Sequence, residues 1–326
     1  MLSHKENILR MYRGEMPEYI PMRGFREFKC SAFIDVKKPG VKRDEFGVEY
    51  TGKTEIFGGA PIPMPGHYVL DDISNWRDKI KAPDISGFDW EALAKKDLEG
   101  IDRSTTGLVF YWGKIFQRLM DFMGHTDGLI AIAEEPEECY DMLSYLCDYN
   151  CEVLKNVCHY YKPDTVCIPD DTATARAPFI SPETYREIIK PLHAREAEIV
   201  LNSGAYLDMH DCGCCEAFID DWLDFGVKSW NPAQPSNDLA AVKKKYGRSL
   251  IISGGWDPQD PITYGECDEE TLRQTLMNYV DKLAPNGGFI FSAYAQGKLK
   301  DSDKNKMDVV TDVYENYAKN WYQTHG

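Results

Sequence analysis

His210-Asp211-Cys212-Gly213-Cys214-Cys215 puts one imidazole and three thiols within six positions. The run follows the apolar stretch Ala205-Tyr206-Leu207-Asp208-Met209, which predicts a strand carrying metal-ligand residue types at its carboxyl end. Alternate side chains of an extended chain share a face, so His210 and Cys212 can converge on one ion before Gly213 turns the backbone. Imidazole plus thiolate suits Zn²⁺, and a site with few protein ligands keeps a position open for water or substrate, as catalytic zinc sites do. Cys214 is a further candidate ligand. The competing reading, a buried histidine beside core cysteines, accounts less well for so many ligand types in one turn. Cys215 opens a predicted helix, where the dipole favours a thiolate, although packing is the commoner fate of such a residue.

The elements around this motif alternate. Strands are predicted at 108–112, 165–169, 205–210, 227–230, 250–253 and 288–292, with one more at 19–22. Between them lie helical patterns at 182–202, 215–225, 239–246 and 269–283. A capping box from Ser3 to Glu6 starts a short helix, and a last helix runs to about residue 322. Strands separated by helices of this length imply a parallel sheet with right-handed crossovers. Seven or eight strands favour closure, so the expected architecture is α/β, a single (β/α)8 TIM barrel filling 1–326 as one domain. Glycines and prolines break the pattern from about 37 to 75, which predicts a looped, hairpin-rich excursion within the barrel. Gly254-Gly255 leads into Trp256-Asp257-Pro258, so no dinucleotide-binding fingerprint follows that strand.

The working groups of a barrel sit beyond the carboxyl ends of its strands. Asp170-Asp171 ends one predicted strand, immediately before the metal-motif strand. One of the pair could complete a zinc shell, or orient His210 by accepting its second ring N–H; adjacent acids are also common as caps and solvated surface. Both are candidate catalytic residues, and alternation lets only one of them face the pocket, with Asp171 preferred. Trp112, Trp256 and Tyr294 fall at strand ends and are candidate substrate-binding residues, joined by Tyr111 and Trp230 as flat apolar surface. Arg23 and Arg26 could clamp a carboxylate, with a surface ion-pair role as the alternative.

Composition narrows the partners. A formal charge of -16 over 326 residues argues against nucleic acid or an anionic membrane surface. No signal-peptide pattern and no long apolar stretch stand out, so the expected location is cytoplasmic, as a monomer or homodimer. Ten cysteines are too sparse for a disulfide scaffold, and Cys139, Cys147, Cys151 and Cys158 read as small hydrophobes on one helical segment.

Several of these segments together resemble the uroporphyrinogen decarboxylase superfamily, and within it the zinc-dependent, corrinoid-linked methyltransferases. The matching stretches are Asp170-Asp171, Ile180-Ser181-Pro182-Glu183-Thr184-Tyr185, His210-x-Cys212-Gly213, Asn231-Pro232-Ala233-Gln234 and Gly254-Gly255-Trp256-Asp257, in family order. Asp44-Glu45-Phe46-Gly47-Val48 and Pro83-Asp84 match more loosely. The resemblance implies a decarboxylase-type barrel with its pocket at the strand carboxyl ends. Two departures bear on function. Porphyrinogen decarboxylases of the family carry Arg-Gln-Ala-Gly-Arg where this chain has Met22-Arg23-Gly24-Phe25-Arg26-Glu27, which argues against decarboxylation. Thiol-methylating relatives place a third zinc cysteine after the last strand, where this chain reads Phe291-Ser292-Ala293-Tyr294-Ala295-Gln296.

The expected activity is therefore transfer of a methyl group from a small-molecule donor, an aromatic methyl ether or similar, to the cobalt of a separate corrinoid carrier protein. Zinc is the expected metal, and the cobalamin-type corrinoid belongs to the partner. The alternatives are a methylcorrinoid:thiol methyltransferase, a non-catalytic barrel that binds a tetrapyrrole or corrinoid, and a uroporphyrinogen-type decarboxylase.

Overall fold

The computed structural model describes residues 2–51, 61–257 and 259–325. Its centre is one parallel sheet whose strands follow one another in chain order: β1 (Arg26–Glu27), β2 (Leu108–Tyr111), β3 (Thr165–Pro169), β4 (Tyr206–His210), β5 (Val227–Ala233), β6 (Ile251–Gly254) and β7 (Phe289–Ile290). The two ends of the sheet are linked. Met22, ahead of β1, bridges in parallel to Phe291, just after β7, with the Arg23 N–H donating to Phe291 O and the Phe291 N–H to Pro21 O, each at 2.9 Å. The result is a TIM-like arrangement with seven strands among the described residues, where eight were expected.

Local chemistry explains the strands. β3 and β4 are built from Val, Ile, Leu, Met and Tyr, and most of their residues are buried, as in parallel strands covered on both faces. The first strand departs from the sequence reading. Tyr19 and Ile20 are buried, but among the described residues the 19–22 stretch joins the sheet only through the bridge to Phe291; the Asn7 amide holds Tyr19 O at 2.8 Å and the Tyr314 hydroxyl holds Ile20 O at 3.1 Å, and the regular strand forms at the polar dipeptide Arg26–Glu27. Burial, with a single backbone bridge at its end, produced the apolar signal there.

Helices fill the outer layer, and their caps are visible in the sequence. Ser3 accepts from the Glu6 N–H at 3.2 Å to open His4–Tyr12, and Asp268 accepts from the Thr271 N–H at 2.7 Å to open Glu269–Leu283. Pro136 begins the long helix Pro136–Tyr160, whose cysteines 139, 147, 151 and 158 are all buried in the main core. The expected helix over 182–202 is interrupted by a wider π turn, Tyr185–Ile189. A small second core, of Ile8, Met11, Tyr12, Ile251 and Ile290, packs the first helix under the barrel. From it the Tyr12 hydroxyl donates to Asp208 at 2.7 Å, and burial raises the Asp208 carboxyl to about 7.

Between β1 and β2 the chain makes its long excursion. Arg43 bridges antiparallel to Glu49 and Tyr50 to Pro63, while Asp44 Oδ1 accepts from the Phe46 and Val48 N–H groups at 3.0 Å. This turn presents Glu45 and Phe46 at the wall of a cavity that also includes residues at the carboxyl ends of β2 and β3. Gly52, Gly58 and Gly59 lie outside the described residues. No described helix is long and apolar enough to cross a membrane.

Candidate metal centre and its cavity

At the carboxyl end of β4 one ligand atom each from Asp171, His210 and Cys212 lies within 4.8 Å of the others. Cys212 Sγ is 3.8 Å from His210 Nε2, and His210 Nε2 is 3.8 Å from Asp171 Oδ1. The His210 side chain is 31% exposed and that of Asp171 43%, so the group opens toward a ligand while its backbone is held from below.

The orientation of each donor has a cause. His210 Nδ1 meets Asn231 Oδ1 at 2.9 Å; the amide oxygen can only accept, so Nδ1 carries the proton and Nε2 keeps its lone pair for the Cys212 and Asp171 side. Asn231 is itself held by the Tyr111 hydroxyl, which donates to the same oxygen at 3.4 Å, and by its own amide N–H donating to Cys167 Sγ at 3.5 Å. The Cys212 N–H donates to Asp171 Oδ1 at 2.9 Å, tying the two loops together. Burial pushes the Cys212 thiol well up, and the Asp171 charge adds to the shift. A divalent cation must therefore displace that proton to recruit the sulfur.

Gly213 ends the extended geometry. Its φ is +96°, and a Cβ there would lie 2.5 Å from Thr174 O and 2.6 Å from Ala173 O, so only glycine brings the two loops this close. Asp211, between the two ligands, points the opposite way. It is fully buried and accepts from the Thr172 N–H at 2.9 Å, which fixes the residue next to Asp171.

Other expected residues lie elsewhere. Cys214 is not among the converging donors: the turn at Gly213 carries it away, and its N–H is spent on Thr174 O at 2.7 Å. Asp170 is fully buried behind the site. It accepts from the Phe116 and Gln117 N–H groups at 2.8 and 2.6 Å, at the start of the helix Phe116–Met123, and meets His193 Nε2 at 2.9 Å. It is a cap and anchor. Cys215 is fully buried, and burial pushes its thiol up rather than down. Trp256 is in the core, edge-on to Tyr279, with its N–H on Thr263 Oγ1 at 3.1 Å. Trp230 is core as well, and Tyr294 pairs with Tyr264. Arg23 and Arg26 are exposed.

Trp112 does line a cavity. Its volume is about 180 Å³, and Tyr111 and Pro169 place it beside the metal group: the Tyr111 ring stands edge-on to His210 at 6.1 Å, and Pro169 is paired with His210 across β3 and β4. Gly113 in its wall leaves room for the buried Glu196, whose Oε2 would be 2.5 Å from a Cβ there, while Asn150 donates to the other oxygen at 2.7 Å. Asn231 and Glu45 were not singled out from the sequence as site residues. Asn231 stands in a strand-end run, which is a signal; Glu45 stands in the loosely matching stretch 44–48, but nothing local shows that this distant loop reaches the cavity.

Comparison with known proteins agrees with this architecture. Residues 117–317 match the family model for uroporphyrinogen decarboxylase (URO-D). No curated protein matches the sequence. Among solved structures, a methyltransferase from Methanosarcina mazei superposes with a TM-score of 0.62 over 98% of this chain and 100% of that one, at 12% identity, a likeness of fold. The matched segment covers more than half of the chain, including β3 to β7 and every residue of the metal group, and the chain belongs to the uroporphyrinogen decarboxylase family.

Proposed function

We propose that this protein is a zinc-dependent methyltransferase that takes a methyl group from the oxygen of a small methyl ether and passes it to the cobalt of a separate corrinoid protein. The observation that carries the reading is the convergence of Asp171, His210 and Cys212 at a barrel-strand end beside a small aromatic cavity. The donor set fits zinc. One thiolate and one carboxylate balance a divalent charge, a neutral imidazole completes three protein ligands, and three is the number that leaves a coordination position for substrate.

The chemical difficulty is the leaving group. The methyl group departs without its bonding pair, so the donor oxygen gains negative charge and must finally take a proton. Bound in this site, zinc supplies Lewis acidity toward that oxygen, an effect on the order of several kcal/mol. The chain's own part is positional. Asn231 fixes the His210 tautomer, Gly213 and Asp211 fix the loops, and Asp171 holds the Cys212 backbone while offering its exposed carboxylate edge to the site. Tyr111 and Trp112 shield the donor from water.

Two features favour this reading over its alternatives. The cavity, about 180 Å³, matches a single ring, and the chain lacks the Arg-Gln-Ala-Gly-Arg motif of the porphyrinogen decarboxylases, which weighs against a porphyrinogen decarboxylase. A single sulfur in the donor set lacks the additional cysteine of the thiol-methylating relatives described above. The test is a single-turnover assay with reduced corrinoid carrier and a panel of O-methyl donors. Transfer is expected with zinc-loaded protein and not after chelation, with recovery on adding zinc. Transfer that is equal in chelated and zinc-loaded protein, or none from any O-methyl donor, would contradict the proposal.

A further inference from the structure

We propose that the cavity recognises its donor as a methoxylated phenol, with Glu45 accepting the phenolic O–H, and that the same carboxylate excludes rings that carry an acid group. The inference rests on the methyl-transfer reading and adds the substrate class.

Size and walls come first. A void of about 150 Å³ lined by apolar side chains can hold benzene, so a cavity of about 180 Å³ suits one substituted six-membered ring. Its walls include the rings of Phe46, Tyr50, Tyr111, Trp112 and Tyr149. The Phe33 ring packs against Trp112, tilted by 39° with centroids 4.4 Å apart, and supports that wall.

Charge then selects within that size. Two cations line the cavity, and both are already engaged. Arg118 pairs with Asp44 at 2.7 Å and Asp121 at 3.8 Å, with its guanidinium over the Phe46 ring at 4.7 Å, and Lys114 reaches Asp121 at 3.3 Å. Asp44 and Asp121 balance these two cations, so the charge left uncompensated beside the cavity is that of Glu45. Glu45 is the opposite case: among the described residues its carboxylate has no ion pair and no hydrogen bond to another residue's side chain, and it meets its own backbone N–H, although it lines the same space. Burial pushes its carboxyl up, so a ligand O–H that donates to the charged form relieves a cost the free protein carries. Two more polar atoms of the wall residues, Trp112 Nε1 and Tyr149 Oη, are buried without partners, which suits a ligand bearing oxygens rather than a bare hydrocarbon. A substrate carboxylate would meet Glu45 with like charge in a partly desolvated site.

The experiment is calorimetric binding of ortho-methoxyphenol, methoxybenzene, ortho-methoxybenzoate and tetramethylammonium to the full-length protein without corrinoid, so that it reads recognition and not turnover. Wild type is expected to bind the phenol at least roughly tenfold more tightly than methoxybenzene or the benzoate, the usual worth of a hydrogen bond to a charged group. Glu45→Gln is expected to lose that preference and to admit the benzoate, with methoxybenzene affinity unchanged as the control for an intact cavity. Glu45→Asp, which keeps the charge, should continue to reject the benzoate. Benzoate binding equal to the phenol in wild type, tetramethylammonium as the tightest ligand, or an unchanged pattern in Glu45→Gln overturns the proposal. If the Glu45-dependent preference holds but no methyl group is transferred from the phenol to a corrinoid, recognition stands and the methyl-transfer reading is the one that fails.

Discussion

Replacing His210 and Cys212 together by alanine is expected to strip the metal from the protein and to lower methyl transfer by roughly a hundred- to ten-thousandfold, the equivalent of the several kcal/mol that a Lewis-acidic zinc contributes to a developing oxyanion. The double variant matters because either residue alone leaves two of the three donors in place. The fold should survive. The main hydrophobic core is one continuous cluster from the first third of the chain to the last helix, and no part of it depends on the metal group. Far-ultraviolet circular dichroism unchanged, with zinc gone by elemental analysis, is the expected pair of results. Full zinc retention in the double variant would place the metal elsewhere, and cooperative unfolding would make the site structural.

The adjacent aspartates should separate two effects. Asp171→Asn is expected to cut transfer by about a hundredfold, the scale seen when a group that ligates or directly supports a catalytic metal is neutralised, and to leave stability nearly unchanged because the side chain is 43% exposed. Asp170→Asn is expected to act on stability. Its fully buried carboxylate accepts two close backbone N–H bonds at the start of Phe116–Met123 and meets His193, and an amide can replace only part of that. A loss on the order of 2–4 kcal/mol follows from breaking a buried charge-assisted network. Denaturant midpoints and metal-saturated rates measured on both variants check the separation. A large stability loss in Asp171→Asn with a normal rate in the folded fraction, or the reverse for Asp170→Asn, would exchange the roles assigned to them.

The parts of this molecule that could be read from the chain are those where one local cause decides. β3 is at 165–169 as expected, and β4 ends at His210 as expected but starts at Tyr206, one residue after the apolar run begins, because β-branched and apolar runs bounded by helices have no other home in a parallel sheet. His210, Cys212 and Asp171 meet because the ends of adjacent strands must. Cys214 shows the limit of a spacing rule: period-two alternation holds only while the chain is extended, and Gly213 at φ +96° ends it. Trp256 looks like a mouth residue by position but is buried against Tyr279, since an aromatic side chain at a strand end can fold inward as easily as outward. Asn231 and Glu45 depend on contacts between segments distant in the chain, Asn231 as the neighbour of His210 on the adjacent strand β5. His210 is 21 residues from Asn231, and Glu45 shares its cavity with Trp112 only through the long excursion after β1, a relation that no local pattern encodes.

Zinc K-edge X-ray absorption on the metal-loaded protein tests the centre most directly. A site made by Asp171, His210 and Cys212 gives one sulfur scatterer per zinc at about 2.3 Å, with the remaining nitrogen and oxygen scatterers at about 2.0–2.2 Å. Two or more sulfurs per zinc would return Cys214 or another thiol to the shell, and a spectrum with no sulfur at all would contradict the metal centre described for this chain.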